Sequence, residues 1–194
     1  DIDAWVLDRM SEAISAITAH IDDYNFAAAA DELWEFIWNQ CCDWYVEGIK
    51  SHKADSIQVL AYVCVQILVL LHPYMPFVTE AIWVRLAEHP NLKLPVNSVQ
   101  LANWPVANES VNHDRLNQFS MAFNIIREIR HLIKAANVST KTEQTIHLSH
   151  SDSAIQQLLT DQASFICKLT KVTHCHVHST AVQLDVPVSQ SVAS

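Results

Sequence analysis

Glycine occurs once in the 194 residues, at Gly48, where a typical chain would carry about 7%. A backbone closes on an anion only where no Cβ intervenes, so phosphate-cradling loops of the Walker or dinucleotide kind are excluded. Basic residues are also scarce, with 12 Lys and Arg against 21 Asp and Glu and a net charge of −9. That balance predicts weak non-specific affinity for nucleic acid, although a local basic patch can sit on an acidic body. No long apolar run is present. Residues 59–71 are apolar except for Gln66, far short of the roughly 20 residues that span a bilayer, so this stretch reads as a buried core helix. No basic n-region opens the chain, and no signal peptide is expected. The five cysteines, Cys41, Cys42, Cys64, Cys167 and Cys175, have no framework spacing. Free thiols in a reducing, cytoplasmic compartment are expected.

Helical periodicity fills most of the chain. Ile2, Val6, Met10, Ile14, Ile17 and Ile21 recur at steps of three and four and predict a helix over 3–21, closed by a turn at Asp22, Asp23 and Asn25. A second helix is expected over 26–49. Trp34, Trp38, Cys41, Tyr45 and Ile49 fall on one face, Glu35, Asp43 and Glu47 lie on the other, and Gly48 stands near the end as a breaker. The third, 55–72, is apolar on nearly every side and is expected at the centre. Pro73 stops it, and Pro76 opens a fourth helix to about 88. Residues 89–113 read as a long loop with a short extended piece at 98–101, and a fifth helix follows over 114–136. Beyond Asn137 the texture changes to a strand at 144–148 and a helix at 152–168 capped by Ser151 or Asp152. Strands at 173–178 and 181–186 follow. The expected division is a bundle of about five helices over 1–137, a small α/β appendage over 138–186, and a disordered tail over 187–194.

Two blocks are specific enough to carry a resemblance. The first is Phe26 and the alanines 27–30, followed by Phe36, Ile37, Trp38, Asn39, Cys42, Asp43, Trp44, Tyr45, Glu47 and Lys50. The second is Leu71, His72, Pro73, Met75, Pro76, Phe77, Thr79, Glu80 and Trp83. A third, looser block runs over 125–139. On these the chain resembles the anticodon-binding domain of the valyl-tRNA synthetase family, over about residues 1–170. The resemblance implies a mainly α, class I synthetase-type anticodon-binding helical bundle. It implies a piece of a longer enzyme that carries out ATP-dependent aminoacylation of valine tRNA, with ATP and Mg as cofactors of the full-length protein only. The class I ATP-binding signatures are absent, so no catalytic residue and no cofactor are expected in this segment. A natural stand-alone paralogue is the second reading of its extent.

Within the resemblance, Trp5, Arg9 and Phe26 match family positions that meet the anticodon, while Ala4 stands where the family carries a basic residue. Unpaired bases are read by stacking on aromatic rings and by hydrogen bonds to their edges. Trp5 and Phe26 are equally compatible with core packing, and Arg9 with a solvated helix face. Arg127, Arg130, His131 and Lys134 recur at i, i+3, i+4 and i+7. They form a basic stripe that either follows a phosphate backbone or is simply solvated. Lys50 and Lys53 are weaker candidates.

His174, His176 and His178 would share one strand face with imidazoles that suit zinc. No second ligand cluster has matching spacing, so a polar strand face is expected and no metal. His72 reads as structural, and Glu47 and Glu80 as surface or capping groups with no nucleophile beside them. The leading reading is a tRNA anticodon stem-loop binding module, monomeric and cytoplasmic, whose partners are valine tRNA and the rest of the synthetase chain. The alternative is a paralogous protein-interaction or scaffold module of the same fold that no longer binds tRNA.

Overall fold

A computed structural model describes residues 2–50, 54–90, 92–136, 145–149 and 153–178. The elements run α1 (Ile2–Asp22), α2 (Phe26–Trp34), a π-helical segment (Glu35–Val46), α3 (Glu47–Ile49), α4 (Ala54–Leu71) and α5 (Pro76–Ala87). A 3-10 turn (Val99–Leu101), α6 (His113–Ala135), β1 (Thr145–Ser149), α7 (Ser153–Thr170) and β2 (His174–His178) complete them. Contacts divide the chain into two compact units, Asp1–Ser120 and Met121–Ser194. The expected division after 137 followed the end of α6; the observed one falls inside that helix. Its second half packs with α7 through Phe123 and Phe165, whose ring centroids are 6.2 Å apart, and so belongs with the smaller unit.

In the first unit, α1 buries Ile2, Val6, Met10, Ile14 and Ile17 as its spacing predicts, together with Trp5 and Ala13. It packs antiparallel to the rod that begins at Phe26. Arg9 in the middle of α1 meets Gln40, and Tyr45 near the far end of the rod reaches back to Asp3 near the start of α1.

That rod is not one uniform α-helix. Over Glu35–Val46 it takes the wider π register, in which bonds run i→i+5 and which is rare beyond a single turn. The buried ridge shows the reason. Leu33 and Phe36 face the core, and an α-helix would next turn the polar Asn39 and Gln40 inward. The longer step brings Cys41 in instead, then Trp44 and Tyr45. The one-face expectation for this stretch is therefore corrected. Cys41, Tyr45 and Ile49 are buried, but Trp34 and Trp38 are 62% and 53% exposed and stack on each other at 5.4 Å. Gly48 is corrected too: it is buried within α3, with no positive φ, and is no helix-ending cap.

Tyr45 is fully buried. Its hydroxyl lies 2.8 Å from Asp3 Oδ1 and 3.2 Å from the Ser56 carbonyl, and Ser56 Oγ donates to Asp3 Oδ2 at 2.7 Å. Burial, then Asp3, raises the Tyr45 phenol well above its ordinary range. Burial pushes the Cys41 thiol from 9.0 up to about 12, with Cys64 and Cys42 adding to it. The native state thus holds these protons more tightly than the unfolded chain does. The corresponding stability is fully present below about pH 9 and lost as pH rises through the folded value. Urea unfolding is expected to show a loss of about 2 kcal/mol from Cys41 between pH 9 and pH 10.5. Cys41→Ala should remove most of that slope; an unchanged slope would contradict the assignment.

The sequence, apolar on nearly every side over 55–72, predicts a central place for α4. The helix buries Val63, Val65, Leu68, Val69 and Leu70, but Ile57 and Tyr62 on its first half are exposed. The residues after α5 complete the core. Val65, Leu68, Val69, Trp83 and Val99 form one cluster, with Leu86, Leu94, Val96, Ala102 and Trp104 packed against it. The expected extended piece at 98–101 is a 3-10 turn capped by Ser98. Glu80 Oε2 anchors it, accepting from Ser98 Oγ and from the Val99 amide at 3.0 Å each. His72 Nδ1 sits 2.8 Å from Thr79 Oγ1, a structural tie across the Pro73 turn.

In the second unit β1 and β2 pair in parallel, Thr145 opposite His174 and Ser149 opposite His178, and α7 connects them. Lys171 at φ 60° closes α7 in a Schellman cap, the Val172 amide donating to the Cys167 carbonyl at 3.1 Å. The expected strand at 181–186, the tail at 187–194, Lys53, and the caps Ser151 and Asp152 lie outside the described residues. No described helix is long and apolar enough to cross a membrane.

Candidate nucleic-acid interface

The turn between α1 and α2 presents aromatic rings to solvent. α1 closes in a Schellman cap: the Tyr24 amide donates to the Ile21 carbonyl at 3.0 Å and the Asn25 amide to the His20 carbonyl at 2.7 Å. Tyr24 takes the left-handed φ of 58°, a position glycine usually fills because a Cβ there costs roughly 1–2 kcal/mol. Asn25 then caps α2, its Oδ1 accepting from the Ala28 amide at 3.3 Å. The result is two exposed rings, Tyr24 and Phe26, at 82% and 53% exposure. They meet edge to face with centroids 6.3 Å apart.

Beside them lies a cavity of about 400 Å³ lined by Thr18, Ile21, Asp22, Phe26, Pro73, Tyr74 and Trp104. Tyr74 Oη donates to the Phe26 carbonyl at 3.0 Å and ties the α4–α5 turn to the start of α2. Trp104 Nε1 donates to Thr18 Oγ1 at 2.9 Å, and that hydroxyl donates to the Ile14 carbonyl at 2.7 Å. The walls are aromatic and apolar, which suits the face of a nucleobase.

Charge decides how an RNA could approach. Between His20 and Lys50 the sequence holds no basic residue, while Asp22, Asp23, Asp31, Glu32, Glu35, Asp43 and Glu47 are acidic. The acidic rod repels phosphates, so what the turn at its start offers an RNA is a stacking surface for bases and not a contact for backbone.

The sequence candidates separate in space. Phe26 stands exposed at the cavity. Trp5 does not: it is 3% exposed and packs on Phe119 at 5.7 Å, because its position falls on the core face of α1. Arg9 is half-buried in the middle of α1, where Nε donates to Gln40 Oε1 at 2.9 Å and the guanidinium pairs with Glu12. It stands thirteen residues before Asp22, roughly 20 Å along the helix axis, and does not converge with Phe26. Ala4 is partly buried beside Trp5.

In the second unit Arg127, Arg130, His131 and Lys134 are all on exposed positions of α6. Arg127 Nη1 donates to Asn124 Oδ1 at 3.2 Å. Arg130 is engaged, its Nε and Nη2 donating to the Leu169 carbonyl at 3.2 and 2.8 Å. There a guanidinium complements the C-terminal end of α7. The histidine face also forms: His147 stacks on His176 at 5.4 Å and on His178 at 5.1 Å. The rings lie side by side, and among the described residues no group of three or more His, Cys, Asp or Glu is placed to hold a metal ion.

Tyr24, Tyr74 and Trp104 were not singled out from the sequence. Tyr24 sits two residues before Phe26 and could have been found as part of the turn. Trp104 comes from a distant loop, and nothing local marks it.

The family pattern described as the anticodon-binding domain of tRNA ligase matches residues 3–148. The chain is 36% identical to the valine–tRNA ligase of Carboxydothermus hydrogenoformans over 87% of its own length and 20% of that protein's. It is 32% identical to that of Bacillus cereus over 84% of its length and 19% of that protein's. With the valine–tRNA ligase of Fervidobacterium nodosum the identity is 36% over 73% of the chain and 16% of that protein. The chain thus spans about a fifth of the length of the relatives it matches. It belongs to the family of anticodon-binding domains of tRNA ligases.

Proposed function

We propose that the chain is the anticodon-binding module of a valine–tRNA ligase. It holds the anticodon stem-loop of valine tRNA while a catalytic region elsewhere in the longer protein, using ATP and Mg, joins valine to the tRNA. The module acts as a monomer in the cytoplasm and contributes differential binding, not chemistry.

The observation that carries this reading is the exposed Phe26 ring, flanked by Tyr24 and set at the lip of an aromatic cavity, in a chain whose family binds anticodons. Stacking of an unpaired base on a ring is worth about 1–3 kcal/mol. Arg127 and Lys134 supply the backbone contacts in this reading, while Arg130 serves mainly to hold α7.

The test is a titration of the chain with the anticodon stem-loop of valine tRNA and with the same stem-loop carrying a changed anticodon, at low and moderate salt. The expected result is tighter binding of the former. Phe26→Ala should weaken it by about 10- to 100-fold with an unchanged melting temperature, because the ring packs little. Arg127→Ala and Lys134→Ala should each weaken both RNAs alike and lower the salt slope by about one. Equal binding of the two stem-loops, or none, would favour the protein-interaction reading.

A further inference from the structure

Among the residues lining the cavity beside Phe26, one exposed polar side chain has no protein partner among the described residues. Among its lining residues, the Thr18 hydroxyl is committed on both sides, to the Ile14 carbonyl and to Trp104 Nε1. The Tyr74 hydroxyl donates to the Phe26 carbonyl. Ile21, Pro73 and the Phe26 ring offer no polar side-chain atom. The Asp22 carboxylate makes no hydrogen bond or ion pair with any described residue.

Its place on α1 is also locally unfavourable. Asp22 is the last residue of the helix, where the carbonyl ends already carry partial negative charge and a cation is preferred. A carboxylate kept at a helix C-terminus without a partner is a departure from local stability of the kind found at functional positions.

A carboxylate only accepts hydrogen bonds. Facing the edge of a base stacked at Phe26, it accepts from an exocyclic amine, such as N4 of cytosine or N6 of adenine. It meets the O4 of uracil as acceptor against acceptor. We infer that Asp22 is a specificity-determining residue, which selects at this cavity an unpaired base carrying an exocyclic amine and rejects uracil. This rests on the reading that bases stack at the α1–α2 turn, and it adds which bases are taken there.

The test uses hairpin RNAs based on the valine tRNA anticodon loop. Each loop adenine is replaced in turn by purine riboside, and each loop cytosine by 2-pyrimidinone riboside, so that only the amine is lost. With the wild-type chain, amine removal at one loop position should weaken binding about tenfold, the scale of a hydrogen bond to a charged group. In Asp22→Ala the parent and the analogue at that position should bind within about twofold of each other. Any general gain from removing a negative charge cancels in this ratio. The variant should melt no lower than wild type, since it removes an unfavourable charge from a helix end.

Two results would overturn the inference while leaving base stacking intact: no loop position responding to amine loss in the wild type, or a response that survives in Asp22→Ala, in either case with binding still dependent on Phe26. Should Phe26→Ala bind as tightly as wild type, stacking at this turn fails and the role of Asp22 fails with it.

Discussion

Trp83→Ala is expected to cost about 4 kcal/mol of stability, the largest single effect in the molecule. The indole is fully buried and joins α4, α5 and the 3-10 turn in one cluster. Truncation to alanine loses its transfer free energy and leaves a cavity, together about 3–5 kcal/mol for a tryptophan. It also strips the partly buried Val96 carbonyl of the Nε1–H that reaches it at 3.0 Å, which adds to the loss. Trp83→Phe keeps most of the volume and should lose about half as much. Urea unfolding at neutral pH measures both. A loss below about 1.5 kcal/mol for the alanine variant would mean that the loop after α5 does not close the core as described. Trp104 packs against the same cluster and lines the cavity at Phe26. Loosening Trp83 should therefore also blunt base binding under conditions where the variant is still folded.

Arg115→Ala should be the second most damaging change, costing about 3 kcal/mol. The Asp8 carboxylate is buried on the inner side of α1, and Arg115 Nε reaches its Oδ2 at 3.0 Å. The pair itself need not be worth much, because desolvation offsets attraction. Removing one partner is different, since it leaves a buried carboxylate without its countercharge. The double variant Asp8→Asn, Arg115→Met should therefore recover most of what Arg115→Ala loses, and a double-mutant cycle reads the difference. If the double variant is as unstable as the single one, packing of the arginine stem, not charge, dominates the site.

The helices were legible because their apolar positions repeat. α1, α4, α5 and α6 fall within one or two residues of the periodicity reading, and the prolines mark the α4–α5 turn as proline chemistry demands. The π segment was not legible. Both registers put apolar residues at plausible steps, and only the need to keep Asn39 and Gln40 out of the core separates them. Trp5 and Phe26 looked alike for a similar reason: an aromatic side chain serves a core and a base equally well. Arg9 matched a family position, yet its acceptors, Gln40 and Glu12, occupy it. One of them lies 31 residues away, beyond any local pattern.

The amino-acid sequence by itself determined the helical class, the places where helices stop, and the kinship with anticodon-binding domains. Those follow from local sterics, from periodicity and from side-chain strings that match the family pattern. Tertiary structure decided which aromatic rings are buried and which stand at the cavity, and which cations are already spoken for. It also decided that Asp22 lines that cavity, exposed and with no bonding partner among the described residues. Burial and pairing depend on residues far apart in the chain, so no window of sequence contains them.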